Sequence, residues 1–263
     1  MALTAEKTNK SRVEHISYSK INEFLMCPKK YHLHRRLRMP PAFIPSALIF
    51  GISVHEAIAL YHQKRLEGVA AGEDDLLETF CRCWDNTEQE KDLPVHYGKK
   101  EDSGVLFEKA EAMLRAYLES PQSAGEPLAV EEWIQVSIRK DLPSLAGRID
   151  LLEKTDDGQV VLTDFKTASS RRLQDAAQLV LYREALRLLG YPGAGEARLR
   201  CVVLLKTKTP GVEVQDLEAG GGRLEKLMSL YREAWEAIQA GVSYPRPDWQ
   251  CKSCQWSHVC DQG

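Results

Sequence analysis

With 263 residues, 43% of them hydrophobic and 28% charged, the chain has the size and make-up of a folded globular protein with a sizeable core. A formal net charge of −3 argues against a protein that simply coats nucleic acid, although an acidic exterior can still frame one basic groove. No apolar run approaches the roughly 20 residues of a membrane-spanning helix, and residues 1–7 lack the apolar core of an export signal, so a cytoplasmic protein outside the membrane is expected.

Residues 1–16 are polar and read as a loose leader, with 17–263 forming a single domain: a helical part 17–126, a core 127–240 and a cysteine-rich tail 241–263. Ser17-Tyr18-Ser19 suits the cap of a short helix that carries Ile21, Phe24 and Leu25 on one face. Pro28, next to Cys27, suits the first turn of a second helix running through Leu37. That stretch is the most basic of the chain. Lys29, Lys30, Arg35 and Arg36 fit either a solvated helix face or a set of phosphate contacts. Pro40, Pro41 and Pro45 impose an extended connection, and helices are expected over 47–66, 74–91 and 103–119.

The texture changes after Pro127. Alternation predicts strands over 133–138, 145–153 and 159–166, the last two joined by the turn Asp156-Asp157-Gly158. A helix over 173–189 is stopped by Gly190 and Pro192, the apolar run 200–205 reads as a buried strand, and 212–214 as a short edge strand. A last long helix covers 222–240. The order describes an α/β core behind a helical N-terminal cap.

The hairpin carries the densest chemistry. A three-residue loop with Gly158 in the left-handed position sets Thr155 opposite Gln159, and counting back five residues on each strand sets Asp150 opposite Asp164. Facing carboxylates on neighbouring strands can share a divalent cation. Lys166 follows Asp164 by two residues and so projects from the same face, where an ammonium can position water or stabilise charge growing on a phosphate. The plain alternative is an exposed cross-strand ion pair. It is disfavoured by the apolar Val160-Val161-Leu162 leading into Asp164, because an acid in a buried strand is costly without a partner. Taken alone, His55 within its helix reads as an ordinary core or surface histidine. Gln178 and Tyr182, four apart on one helix face, read as a polar and a half-buried position.

Seven cysteines without an export signal read as thiols and ligands rather than disulfides. Cys27 stands near one end of the chain, and Cys251, Cys254 and Cys260 form a C-x2-C-x5-C run at the other. Four thiolates meeting across a whole domain suggest a metal or iron–sulfur staple, and on ligand count zinc serves as well as a cluster. Cys81, Cys83 and Cys201 are surplus to that set.

Taken together, the cysteine motif from Ser17 to Tyr31, Gly51-Ile52-Ser53-Val54-His55, Gly147-Arg148-Ile149-Asp150, Asp164-Phe165-Lys166-Thr167, the Gln178-x3-Tyr182 pair and the closing cysteines resemble one group. This is the RecB-like branch of the PD-(D/E)XK nuclease superfamily with a four-cysteine iron–sulfur cluster, which includes AddB-type subunits and CRISPR-associated RecB-like exonucleases. Asp164 stands where glutamate is common in that group.

The resemblance implies a restriction-endonuclease-like core, a mixed central sheet flanked by helices. It implies Mg2+ or Mn2+ held by His55, Asp150, Asp164 and the Phe165 carbonyl, with Lys166 assisting the attacking water. Gln178 and Tyr182 would steady the site, and Cys27, Cys251, Cys254 and Cys260 would hold a [4Fe–4S] cluster. DNA would be the substrate, as single strands or ends, with Arg171 and Arg172 joining the basic stretch as candidate contacts. The chain has no phosphate-binding G-x4-G-K-[ST] loop, so a helicase motor, like any recombination or CRISPR partner, would be another chain. The rival expectation is a DNA-binding scaffold subunit with a nuclease fold and little turnover.

Overall fold

Local capping and periodicity account for most of the elements. In the computed structural model, which describes residues 14–120, 125–207 and 209–260, a two-residue strand β1 (His15–Ile16) precedes helix α1 (Tyr18–Met26). The Ser17 hydroxyl caps α1 by accepting the Lys20 N–H at 3.2 Å. Residues 1–13 of the expected leader lie outside the described part. Its last two residues are not loose, since β1 pairs in parallel with Ser144 and Leu145 and Ile16 is buried.

At Cys27 the chain turns extended, and the thiol accepts the Lys30 N–H (3.5 Å) to start α2 (Pro28–Tyr31) with Pro28 in its first turn. The helix expected through Leu37 instead widens into a π-helical turn, His32–Arg36, closed by the Leu37 N–H on the His32 carbonyl. A short β2 (Ile44–Pro45) leads into α3 (Ser46–Leu66) and α4 (Glu73–Lys91). After β3 (Val95–His96), the parallel partner of β2, comes α5 (Ser103–Glu119). These three helices agree with the sequence reading within a residue.

The remaining elements are β4 (Glu126–Val136), β5 (Ser144–Lys154), β6 (Val160–Ala168), α6 (Ala177–Leu188), β7 (Arg198–Leu205), β8 (Gly211–Leu217) and α7 (Arg223–Gln239). Strand β4 begins at Glu126 rather than 133, because the polar Glu126, Glu131 and Glu132 obscure its alternation. Helix α6 begins at Ala177 rather than 173, where Asp175 accepts the Ala177 N–H (2.6 Å).

The sheet is mixed: β4, β5 and β6 form an antiparallel meander, β6 and β7 run parallel, and β8 returns antiparallel. Its two faces are buried by different helices. Ile21, Leu181 and Tyr231 of α1, α6 and α7 pack with Ile149 and Leu162, whereas Phe50, Leu76 and Leu114 of α3, α4 and α5 pack with Leu151 and Val202. Among the described residues, no helix is long and apolar enough to cross a membrane.

Candidate active site

The hairpin register matches the count made from sequence. Gly158 has φ +84°, the Thr155 N–H donates to Gln159 O (2.9 Å), and the ladder then runs from Lys154–Val160 to Leu151–Thr163. One further step sets Asp150 across from Asp164. There the ladder stops, and at the far end of β5 the edge that β6 has left is taken by β1. The two strands therefore fork at the acids. At the fork the Phe165 N–H donates to Asp150 Oδ2 at 2.7 Å, a carboxylate standing in for the missing ladder carbonyl.

Face alternation also slips by one residue at this point. On β5, Ile149 and Leu152 lie in one core and Leu151 in the other; on β4, Ala129 and Ile134 share one core while Val130 joins the other. The slip falls at Asp150 and at Glu131, whose φ of +49° is left-handed. Val130 pairs with Leu151 and Glu132 with Ile149, so Glu131 lies across from Asp150. Three acids thus stand in a row over β4, β5 and β6.

From α3, His55 Nδ1 comes to 3.7 Å of Asp150 Oδ2, and the His55 ring also hydrogen-bonds the Phe165 carbonyl. His55, Glu131 and Asp150 bring ligand atoms within 4.8 Å of one another, and no other three acids, histidines or cysteines do so among the described residues. Of the three expected side-chain ligands, His55 and Asp150 are gathered together. Asp164, only 6% exposed, is turned towards Lys166 (Nζ to Oδ1 2.9 Å) and Cys201. Glu131 was missed because the strand that carries it was read as starting at 133.

The electrostatics follow from burial and crowding. Burial first, then the Asp164 carboxylate, push Asp150 up to about 7, against the Phe165 N–H and Lys166. Burial and Asp150 push Glu131 up to about 7 as well. Burial and Lys166 hold His55 below the usual imidazole range, so the ring is neutral and able to bind a cation. Burial opposes the charge on Lys166, but Asp164 and Asp150 outweigh it and keep the ammonium protonated.

From α6, Gln178 accepts from Lys166 Nζ through Oε1 at 3.4 Å, and its side chain also hydrogen-bonds Tyr182, whose hydroxyl is held protonated by burial and the two aspartates. Tyr182 explains Gly147. A Cβ at that position would collide with the Tyr182 ring and hydroxyl.

The four expected cysteines line one cavity beside Lys30, Arg246 and Trp256. Cys201 is buried on β7, where burial and then Asp164 push its thiol up to about 12. The basic stretch is largely engaged in structure. Arg35 Nε pairs with Glu23 at 2.7 Å, Arg36 with Glu14 at 3.9 Å, and Lys30 Nζ lies 5.7 Å from the Trp256 ring. Arg171 is 80% exposed and 3.7 Å from Glu213, and the Arg172 carbonyl accepts from Gln174 and Gln215.

An imidazole with clustered carboxylates is a donor set that suits magnesium and manganese, so the residues present fit a divalent cation. Fold and site together define an α/β domain with a candidate divalent-cation site at a strand fork. The chain belongs to the PD-(D/E)XK nuclease superfamily, whose profile matches residues 15–261. The crystal structure of a candidate exonuclease from Eubacterium rectale is similar over 100% of this chain and 92% of that one, at 12% identity and a TM-score of 0.57, and shares the fold. A second solved structure, SSO0001, covers 92% of this chain and 96% of its own at 15% identity, with a TM-score of 0.35 too low to bear on either fold or function. No curated protein matches the chain.

Proposed function

We propose that the protein is a divalent-metal-dependent DNA exonuclease acting on single strands or DNA ends, of the RecB-like branch whose members also hold an iron–sulfur cluster. The observation that carries the reading is the meeting of His55, Asp150 and the Phe165 backbone at a strand fork beside Lys166, in a chain of a nuclease superfamily.

In this reading His55, Asp150, Asp164 and the Phe165 carbonyl would hold Mg2+ or Mn2+. A bound cation there supplies Lewis acidity to a phosphate oxygen and lowers the pKa of a water. Lys166, kept charged by Asp164, orients the attacking water at its Nζ and offsets charge growing on the phosphate. Gln178 holds the Lys166 side chain in line, and Tyr182 packs over Gly147 to keep α6 against β5.

Cys27, Cys251, Cys254 and Cys260 would bind a [4Fe–4S] cluster. Support comes from the common cavity, from backbone N–H donors to two sulfurs (Lys30 to Cys27 and Asp248 to Cys251, each 3.5 Å), and from the nearby Lys30 and Arg246. On ligand count the same four thiolates would also satisfy tetrahedral zinc. Arg36, Arg171 and Arg172 are the proposed phosphate contacts nearest to solvent, and a helicase, recombination or CRISPR protein is the kind of partner such a nuclease serves.

The test is digestion of end-labelled single-stranded and duplex DNA by anaerobically purified protein with Mg2+, Mn2+ or EDTA, beside Asp150→Ala. Metal-dependent release of end nucleotides, lost in the variant, is the expected result. Absence of cleavage by brown, cluster-loaded wild type would replace this reading with a scaffold subunit.

A further inference from the structure

We infer that Glu131 is a further ligand of the divalent cation, joining His55 and Asp150, and that this carboxylate helps set the affinity of the site. The inference rests on the metal-dependent reading above and adds a residue to it. Glu131, His55 and Asp150 bring ligand atoms closer together than any other such group among the described residues, and they come from three separate elements, β4, α3 and β5.

Two features of β4 point the same way. Pairing with β5 keeps one register on both sides of Glu131, so a single residue is turned out of the strand rather than the strand being displaced. That residue is left-handed with no glycine to ease it. Its carboxylate is also steadied from the solvent side, because Arg148 Nη1 approaches Oε2 at 3.6 Å. The neighbouring acid is differently occupied. Asp164 has Lys166 Nζ at 2.9 Å on one oxygen and the Cys201 thiol at 4.0 Å on the other. Asp164 thus contacts the lysine, whereas Glu131 has a ligand atom within 4.8 Å of those of both His55 and Asp150. A purely structural Glu131–Arg148 ion pair would explain the contact with Arg148, but not the convergence on His55 and Asp150.

The experiment measures Mn2+ binding to chelator-stripped, cluster-loaded protein from the electron paramagnetic resonance signal of free Mn2+, without any assay of cleavage. Glu131→Gln and Glu131→Asp are each expected to weaken Mn2+ binding at least about tenfold, the loss also expected of Asp150→Asn. Glu132→Gln, at an exposed neighbour on the same strand, is expected to leave binding unchanged. Two Glu131 variants guard against a failure to fold in one of them. Wild-type affinity in both, with binding lost in Asp150→Asn, would overturn the inference and leave the nuclease reading standing. Wild-type protein that binds no Mn2+ would overturn both.

Discussion

The fork between β5 and β6 and the cavity beneath the C-terminal tail gather their reactive side chains by opposite means. At the fork, Asp150 and Asp164 are brought together by one hairpin whose turn lies only a few residues away, and helices on both faces add His55 and Lys166's partner Gln178. At the cavity, Cys27 meets cysteines from the other end of the chain. The tail is pinned there by its own hydrogen bonds: Arg246 to Leu25 O (3.0 Å), Gln250 to Met26 O (3.2 Å), Gln255 to Phe43 O (2.9 Å) and Trp256 Nε1 to Met39 O (2.9 Å). Trp256 further stacks on His34, with ring centres 4.6 Å apart. The fork is a crowded, charged arrangement that costs stability, and the cavity is a clasp that adds it. Variants in the two regions should therefore fail differently.

The largest contrast is expected from Lys166→Ala. Cleavage should fall by about 10²–10⁴-fold while DNA binding and the melting temperature stay near wild type, in gel-shift and calorimetric measurements. A variant that cleaves normally would remove the fork from the chemistry. Next in size, if the proposed cluster is bound, Cys251→Ser should bleach its visible absorption and lower the melting temperature by about 10 °C, because a bound group contributes to folding directly. Far-ultraviolet dichroism should remain close to wild type, since the hydrogen bonds of the tail persist. Loss of all helical signal would mean that the thiols, not those bonds, dock the tail.

A subtler effect concerns pH. Asp150 and Glu131 have reference values of 3.8 and 4.5 and stand near 7 when folded. Below about pH 4 both states hold these protons and no difference arises. As pH rises towards about 7, the unfolded chain releases them first, so stability of the metal-free protein falls across that window. His62 acts in the opposite sense. Burial, then Arg65, lower it from 6.5 to about 3, so it costs stability as pH falls through that range. Thermal melts of wild type and Asp150→Asn in chelator separate the two. The variant should gain stability over wild type above about pH 7 and lose that advantage near pH 4. A constant difference would contradict the burial of Asp150 as a charged group. The smallest effect belongs to Trp256→Phe, which removes one hydrogen bond from the clasp. It should cost about 1 kcal/mol, or a few degrees of melting temperature, with cleavage unchanged.

How far the sequence could be read differs between these regions for a physical reason. The β5–β6 register was legible because strand periodicity and a glycine turn count residues without reference to the rest of the molecule. The helices α3, α4 and α5 were legible from composition and spacing. Glu131 was not, since two neighbouring glutamates hid the strand and the slip in alternation has no local signature. The π-helical turn at 32–36 was equally silent. The charge of the basic stretch looked available in sequence, yet Arg35 and His34 are both bound to Glu23 (each 2.7 Å), a residue of the preceding helix.

The sequence by itself determined which residues face one another across the hairpin, which helices form, and which four cysteines stand apart from the rest, because these depend on neighbours a few positions away. Tertiary structure decided where β5 and β6 part, which acid joins His55 and Asp150, and whether the distant thiols share a cavity. Those outcomes depend on α3 and α6 packing against opposite faces of one sheet and on the tail docking on the N-terminal helices. Local periodicity cannot encode how two faces and two chain ends meet.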